Sequence, residues 1–407
     1  MSLPASPCPP AILVTIDRLP AWMLPAYGCS WVAMPALDGI AGRGLVFDRV
    51  IAGGDDVRET LGQIAGQALA AARAAGQRVA LVTDDADIAA GPVAAAAATV
   101  NLVAARPLAS CAVSVAETSL ARLVTVAAET LAARPEDGLW CHVAGLGIAW
   151  DAPEEFRDAY VDPDDPPPPP GAAVPNFMVD ADTDPDLLVG VRQAFAGQLT
   201  LLDRCLGALL ALPEAQDRVL LVAGVRGLPL GLHARVGPGP LPPYGELVHL
   251  PVIMVDARGR MAGQRYGGLV TPADLGATLA DLAVAGGSVG GSAPAPLTAG
   301  IGPAGVSLSG LFSSWSAAAR DRVLVRGSAG GAVVTPGWHL VVQDPAAGPQ
   351  PCARLFHKPD DFFEFCDVAD RCQAVVEELQ GLWGELGKGT GERAWTTPLS
   401  SAARDGA

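Results

Sequence analysis

Six residues of this chain are of types that hold or move charge in a cleft. Asp17 and Arg18 end one apolar run, AILVTI, and Arg226 ends another, RVLLVAG. Arg58 closes the segment Gly54-Asp55-Asp56-Val57-Arg58, His142 sits inside GLWCHVA, and His233 follows a Gly-Leu pair. A carboxylate flanked by guanidiniums is a poor divalent-cation site, because like charge repels the metal; it suits an ion pair or an oxyanion clamp instead. A lone histidine inside an apolar strand reads first as a satisfied core residue. The acidic group Asp55, Asp56, Asp84, Asp85 and Asp87 has two readings, a cation site or a set of helix caps and turn formers, and the second is the commoner use of aspartate after strands. His249, His339 and His357 form no cluster in sequence, and the eight cysteines lack metal or disulfide spacing.

The elements that position these residues are legible as periodicity. Short apolar runs at 11–16, 78–83, 138–144, 218–224 and 250–256 predict doubly buried strands of a mostly parallel sheet. Helices are predicted from Pro35 to Gly44, over 59–75 and 118–134, and from Pro185 to about Leu212. In the last, Leu188, Val191, Phe195, Leu199, Leu202, Leu206 and Leu209 make one apolar face. Strands alternating with helices imply an α/β layer architecture. The five prolines at 166–170 predict a rigid surface arm in the polyproline conformation. A Gly/Ala/Ser/Pro-rich linker is expected at 284–305, separating an N-terminal α/β domain (1–300) from a small C-terminal α+β domain (306–390), with a mobile tail at 391–407. The net charge of −16 disfavours nucleic acid and anionic membrane surfaces as partners. No run is apolar enough to span a membrane, and the first ten residues, with four prolines and no Lys or Arg, do not read as a signal peptide; a cytoplasmic protein is expected.

Taken in order, the segments resemble a sulfatase of the alkaline phosphatase superfamily. The opening AILVTIDRLPAWMLPAYG through MPALDGIAGRGLVFDRVIA is similar to the start of that family. LWCHVAGLGIAWDAPEEFRDAYVD resembles its histidine-bearing segment, LTLLDRCLGALLAL its "DxxIGxLL" helix, and RVLLVAGVRGLPLGLHARVG its "SDHGexLGEHG" strand and loop. PPYGELVHLPVIM, TPADLGATLADLA, SLSGLF, GAVVTPGWHLVV and LFHKPDDFFEFCDVADR resemble later segments. The resemblance implies a large, mostly parallel sheet flanked by helices, with a small C-terminal α+β subdomain.

The resemblance also says what is missing. The family reads Cys-x-Pro-x-Arg after the opening, and its cysteine becomes the formylglycine nucleophile. Here Gly54 stands at that position, and of the motif only Arg58 matches. Calcium ligands are implied at two consecutive acidic positions, of which Asp17 is kept and Arg18 is not; in the later loop Val225 and Arg226 stand at ligand positions. The family lysine is replaced at Thr83-Asp84-Asp85, His142 matches the first family histidine, Gly147 stands at the second, and His233 matches the turn histidine. Thr15 or Thr60 could replace the nucleophile only with zinc ions that five scattered histidines do not suit. Two function classes follow. One is a pseudosulfatase with a binding or scaffolding role, without calcium, formylglycine or any other cofactor; the other is a divergent sulfuric or phosphoric ester hydrolase with a rebuilt site. A sulfated or other anionic small molecule is the expected partner, and the sequence names no protein partner. Arg18, Arg58 and Arg226 are expected either to converge as an oxyanion pocket or to be neutralised by Asp17, Asp55 and Asp56.

Overall fold

The computed structural model describes residues 10–105, 110–284, 304–315, 320–344, 353–386 and 392–406. Ten strands lie in the first 284 residues: β1 (Ile12–Asp17), β2 (Leu45–Ile51), β3 (Val79–Thr83), β4 (Thr99–Leu102), β5 (Gly138–Val143), β6 (Phe177–Met178), β7 (Leu220–Arg226), β8 (Arg235–Val236), β9 (His249–Val255) and β10 (Gln264–Val270). Eight of them form one sheet in the order β10-β2-β9-β7-β1-β5-β3-β4, and β6 pairs with β8. Only β9 runs against its neighbours; the other pairings of the large sheet are parallel. All five strands predicted from apolar runs are present, and β1 sits in the middle, buried along its whole length.

Alternation along β1 feeds two cores. Leu13 packs with Trp140, Leu221, Leu250, Leu275 and Leu279 on one face. Ile12, Val14 and Ile16 pack with Val191, Phe195, Leu199 and Leu206 on the other. Each such side chain taken out of water stabilises the fold by roughly 1.5–3 kcal/mol. Pro185–Leu210 covers the second face; Asp184 caps it by accepting from the Asp186 amide, and Pro185 sits at its first position. Its buried Asp203 accepts the Ala36 and Leu37 amides, and so caps the helix Pro35–Arg43, whose own N-cap residue Met34 has no side chain to do so.

The second sheet is antiparallel, β11 (Val323–Gly327), β12 (Gly330–Val334), β13 (Trp338–Gln343) and β14 (Ala353–His357). One of its faces, with Val325, Val334 and Phe356, joins the core of the large sheet; the other holds the helix Gln373–Leu386 through Leu379 and Leu382. Most of the 284–305 linker lies outside the described residues. The segment read as a tail holds two short helices, Glu392–Thr396 packed on Gln373–Leu386 and Ser401–Asp405 packed on that helix and on β13. The Trp338 indole donates to the Ala402 carbonyl and the Thr335 hydroxyl to that of Ala403, a fully buried residue. Its buried alanines and backbone acceptors carried no apolar periodicity, which is why the sequence read as a tail.

Candidate functional site

The predicted charged residues gather at the C-terminal ends of the parallel strands, where open α/β sheets place ligands. A register shift between Ile16 and Asp17 brings Asp17 opposite Arg226 of β7. The Arg226 guanidinium then grips both carboxylate oxygens: Nε donates to Oδ1 at 3.0 Å and Nη2 to Oδ2 at 2.7 Å. Its third nitrogen, Nη1, donates to the Asp55 carbonyl at 3.3 Å. Arg18 turns back on a left-handed backbone (φ 64°) and sets Nε 3.7 Å from Asp17 Oδ2. Burial lowers Arg18 to about 10, Asp17 pulls it up and Arg226 pulls it down further; it is still a cation at neutral pH.

Two glycines near the cleft lie close against distant residues. A Cβ at Gly147 would lie 3.1 Å from Arg18 Cγ, so the Arg18 side chain runs through the room that a larger residue at 147 would need. Gly54 pairs with Arg326 of β11, and a Cβ there would come within 2.5 Å of the Arg326 carbonyl oxygen, far inside contact distance. The same loop is clasped again by Ser328, whose amide and hydroxyl donate to Asp55 Oδ2 at 2.9 and 2.6 Å. At 54 any side chain, and so any nucleophile, needs this junction to open.

The other acids divide by role. Asp56 and Asp85 are N-caps, accepting from the amides of Arg58 and of Asp87 and Ile88. Asp84 is buried; its Oδ1 accepts the Ala144 amide at 2.7 Å and its Oδ2 has no partner. Desolvation raises it to about 6, against the pull of that amide. Arg58 reaches outward to Asp87, 2.6 Å away, with both side chains mostly exposed.

Asp17, Arg18, Arg226, Asp84, Asp85 and Asp87 share a cleft of about 330 Å³; Arg58 is not on its wall. Two cations against four carboxylates leave the lining at −2 with every acid ionised, and the three arginines do not converge on it. Arg226 and Arg18 lie against Asp17, whereas Arg58 pairs with Asp87, the Asp55 carboxylate is taken by Ser328 and Asp56 caps a helix. Calcium does not fit either. Asp17, its one retained ligand, has both oxygens engaged by Arg226, and no group of three or more His, Cys, Asp or Glu is arranged to hold a metal ion among the described residues.

His142 is fully buried on β5 beside β1. Its Nδ1 meets the Thr15 hydroxyl at 2.9 Å, and that hydroxyl also accepts from the Trp140 indole at 2.9 Å. Its Nε2 has no partner. Burial lowers its pKa, only partly countered by Asp17 and Asp85, so the ring is held neutral within the core. The same bonds bury Thr15, which cannot meet a substrate. His233 stacks on Tyr244 at 3.8 Å, with Nδ1 2.8 Å from Glu246, and shapes the loop after β7. Sequence reading missed the contacts Arg18–Gly147 and Gly54–Arg326, whose partners lie far apart in the chain and meet only in the fold.

No family model matches the sequence and no curated protein matches it. Solved structures do match. A phosphonate monoester hydrolase of Agrobacterium radiobacter aligns with a TM-score of 0.68 at 16% identity, over 93% of this chain and 95% of its own. A 2-O GAG sulfatase aligns with a TM-score of 0.67 at 15% identity, over 93% and 91%. A third structure, solved in complex with its substrate D-glucosamine-2-N,6-O-disulfate, aligns with a TM-score of 0.67 at 12% identity, over 94% and 98%. The fold is therefore that of these solved sulfatases and phosphonate monoester hydrolases. No described helix is long and apolar enough to cross a membrane.

Proposed function

We propose that this chain is a pseudosulfatase: it keeps the sulfatase architecture, does not hydrolyse sulfuric or phosphoric esters, needs neither calcium nor formylglycine, and acts by binding. The observation that carries this reading is the bidentate Arg226–Asp17 pair. It puts a fixed guanidinium on the one carboxylate that the resemblance assigns to a catalytic cation, so no Lewis acid can take those oxygens without displacing it. The contact of Gly54 with the Arg326 carbonyl supports it, since that position has neither a nucleophile nor space for one. A small anionic molecule is the ligand class that the reading favours, since a neighbour of the same fold is described with a disulfated glucosamine as its substrate.

Incubation with aryl sulfates, aryl phosphates and aryl phosphonates, with and without added calcium, tests the reading. We expect no turnover above background. Turnover that co-purifies with the protein and is abolished by Asp17→Ala would establish the alternative, a hydrolase with a rebuilt site.

A further inference from the structure

A second cavity, of about 400 Å³, lies between the β2 and β10 edge of the large sheet and the β12–β13 end of the small one. It shares no lining residue with the Asp17 cleft. Register shifts in β2 and β10 loosen the regular pleat here, and the consecutive residues Asp48 and Arg49 both line the cavity. Arg265 reaches Asp48 at 2.5 Å. Glu364 is fully committed: Oε1 meets His339 Nδ1 at 2.5 Å and Lys358 Nζ at 3.0 Å, and Oε2 accepts the Gly245 amide at 2.8 Å. Burial opposes ionisation of Glu364, but His339 and Lys358 outweigh it and hold the carboxyl well below its usual range.

Two groups are left over. Arg49 donates to the carbonyls of Pro336 and Thr335 at 2.8 Å each, and no carboxylate pairs with it among the described residues. A guanidinium has five N–H donors, so three are uncommitted by these bonds. His339 is 2% exposed, its ring lines the cavity, and its Nε2 has no partner. With the histidines counted as uncharged, Arg49, Arg265 and Lys358 face Asp48 and Glu364, a surplus of one positive charge. The remaining wall is largely aromatic and aliphatic. His249 stands edge-on to both Tyr27 and Phe362, and Ile51 and Val334 close the sides.

We propose that this cavity binds a small organic monoanion, a carboxylate or sulfate monoester on a flat apolar body. The acid group would take the uncommitted donors of Arg49, and the body would lie along Tyr27 and Phe362. Arg49 is partly buried without a counter-ion, and a ligand that supplies the counter-charge recovers part of its desolvation cost. The volume lies within the range of small-molecule sites. The proposal rests on the binding half of the function proposed above and not on the loss of hydrolysis.

Calorimetric titration with phenylacetate, phenyl sulfate and the neutral control phenylacetamide tests it. Both anions should saturate one site, with the amide at least about tenfold weaker. Gly267→Leu is the blocking variant. Gly267 lines the cavity, and a Cβ there meets nothing closer than Asp48 Oδ2 at 3.9 Å, so the side chain fills open space. It should weaken both anions at least about tenfold while the unliganded melting temperature holds. If Gly267→Leu does not fold, Arg49→Gln, which removes the cation but keeps an amide donor, should give the same direction of loss. Absence of saturable binding, equal affinity for the amide, or unchanged affinity in the folded variants would overturn the site. Binding lost in Arg226→Ala but kept in Gly267→Leu would assign the anion to the other cleft and overturn it equally. Phenol release from phenyl sulfate in the same samples bears only on the question of hydrolysis.

Discussion

Two cavities of similar size, about 330 Å³ at the strand ends of the large sheet and 400 Å³ between the two sheets, differ in how their charges are spent. In the cleft at the ends of β1 and β7 every arginine has a carboxylate within reach, and the lining is net negative. In the cavity beside β2, among the described residues, one arginine has only carbonyl partners and one histidine nitrogen has none, and the lining is net positive. The first region holds each of its arginines against a carboxylate; the second keeps a guanidinium with no carboxylate partner among the described residues, which is the group the proposed anion would pair.

The comparison breaks most readily at its ion pair. Arg226→Ala leaves Asp17 buried without its main partner and should cost about 3 kcal/mol in urea unfolding. Adding Asp17→Ala should recover part of that loss, because the double variant strands no carboxylate. A smaller effect, about 2 kcal/mol, is expected for Gly54→Cys, whose Cβ meets the Arg326 carbonyl at 2.5 Å. That variant should gain no hydrolytic activity, even with a maturation enzyme present.

The two regions should also respond oppositely to pH. Asp84 is raised from 3.8 to about 6, so the folded state holds its proton more tightly, and its contribution falls as pH climbs from 4 to 6. His249 is lowered from 6.5 to about 4, chiefly by burial, so its contribution falls as pH drops through the same window. The two slopes oppose each other in the parent. Asp84→Asn should therefore make stability rise with pH from 4 to 6, and His249→Gln should make it fall, each by about 2 kcal/mol or less. Identical slopes in parent and variants would remove both assignments. The smallest effect is expected at the surface. Arg58→Ala breaks a pair with both side chains mostly exposed and should change stability by no more than about 0.5 kcal/mol.

Much of this fold was legible in the sequence because doubly buried strands are continuous apolar runs; β1, β3, β5, β7 and β9 all read that way. β2 was not predicted, since LVFDRVI carries Asp48 and Arg49 where the strand bulges to line a cavity, and β4 and β10 are edge strands with exposed positions. At the cleft, residue types alone gave Asp17 with its arginines and offered two outcomes. Choosing between them needed the one-residue register shift that sets Arg226 against Asp17, and periodicity does not encode such a shift. The second cavity was invisible for a similar reason. His249 and His339 are ninety positions apart, without a shared motif, and only the packing of one sheet on the other brings them to a common wall.

Calcium titration of the unmodified protein by calorimetry tests the central claim most directly. With Arg226 on both oxygens of Asp17, no saturable heat is expected at millimolar calcium, and Arg226→Ala should be the variant that first admits the ion. A stoichiometric calcium site in the parent, lost in Asp17→Ala, would contradict the account.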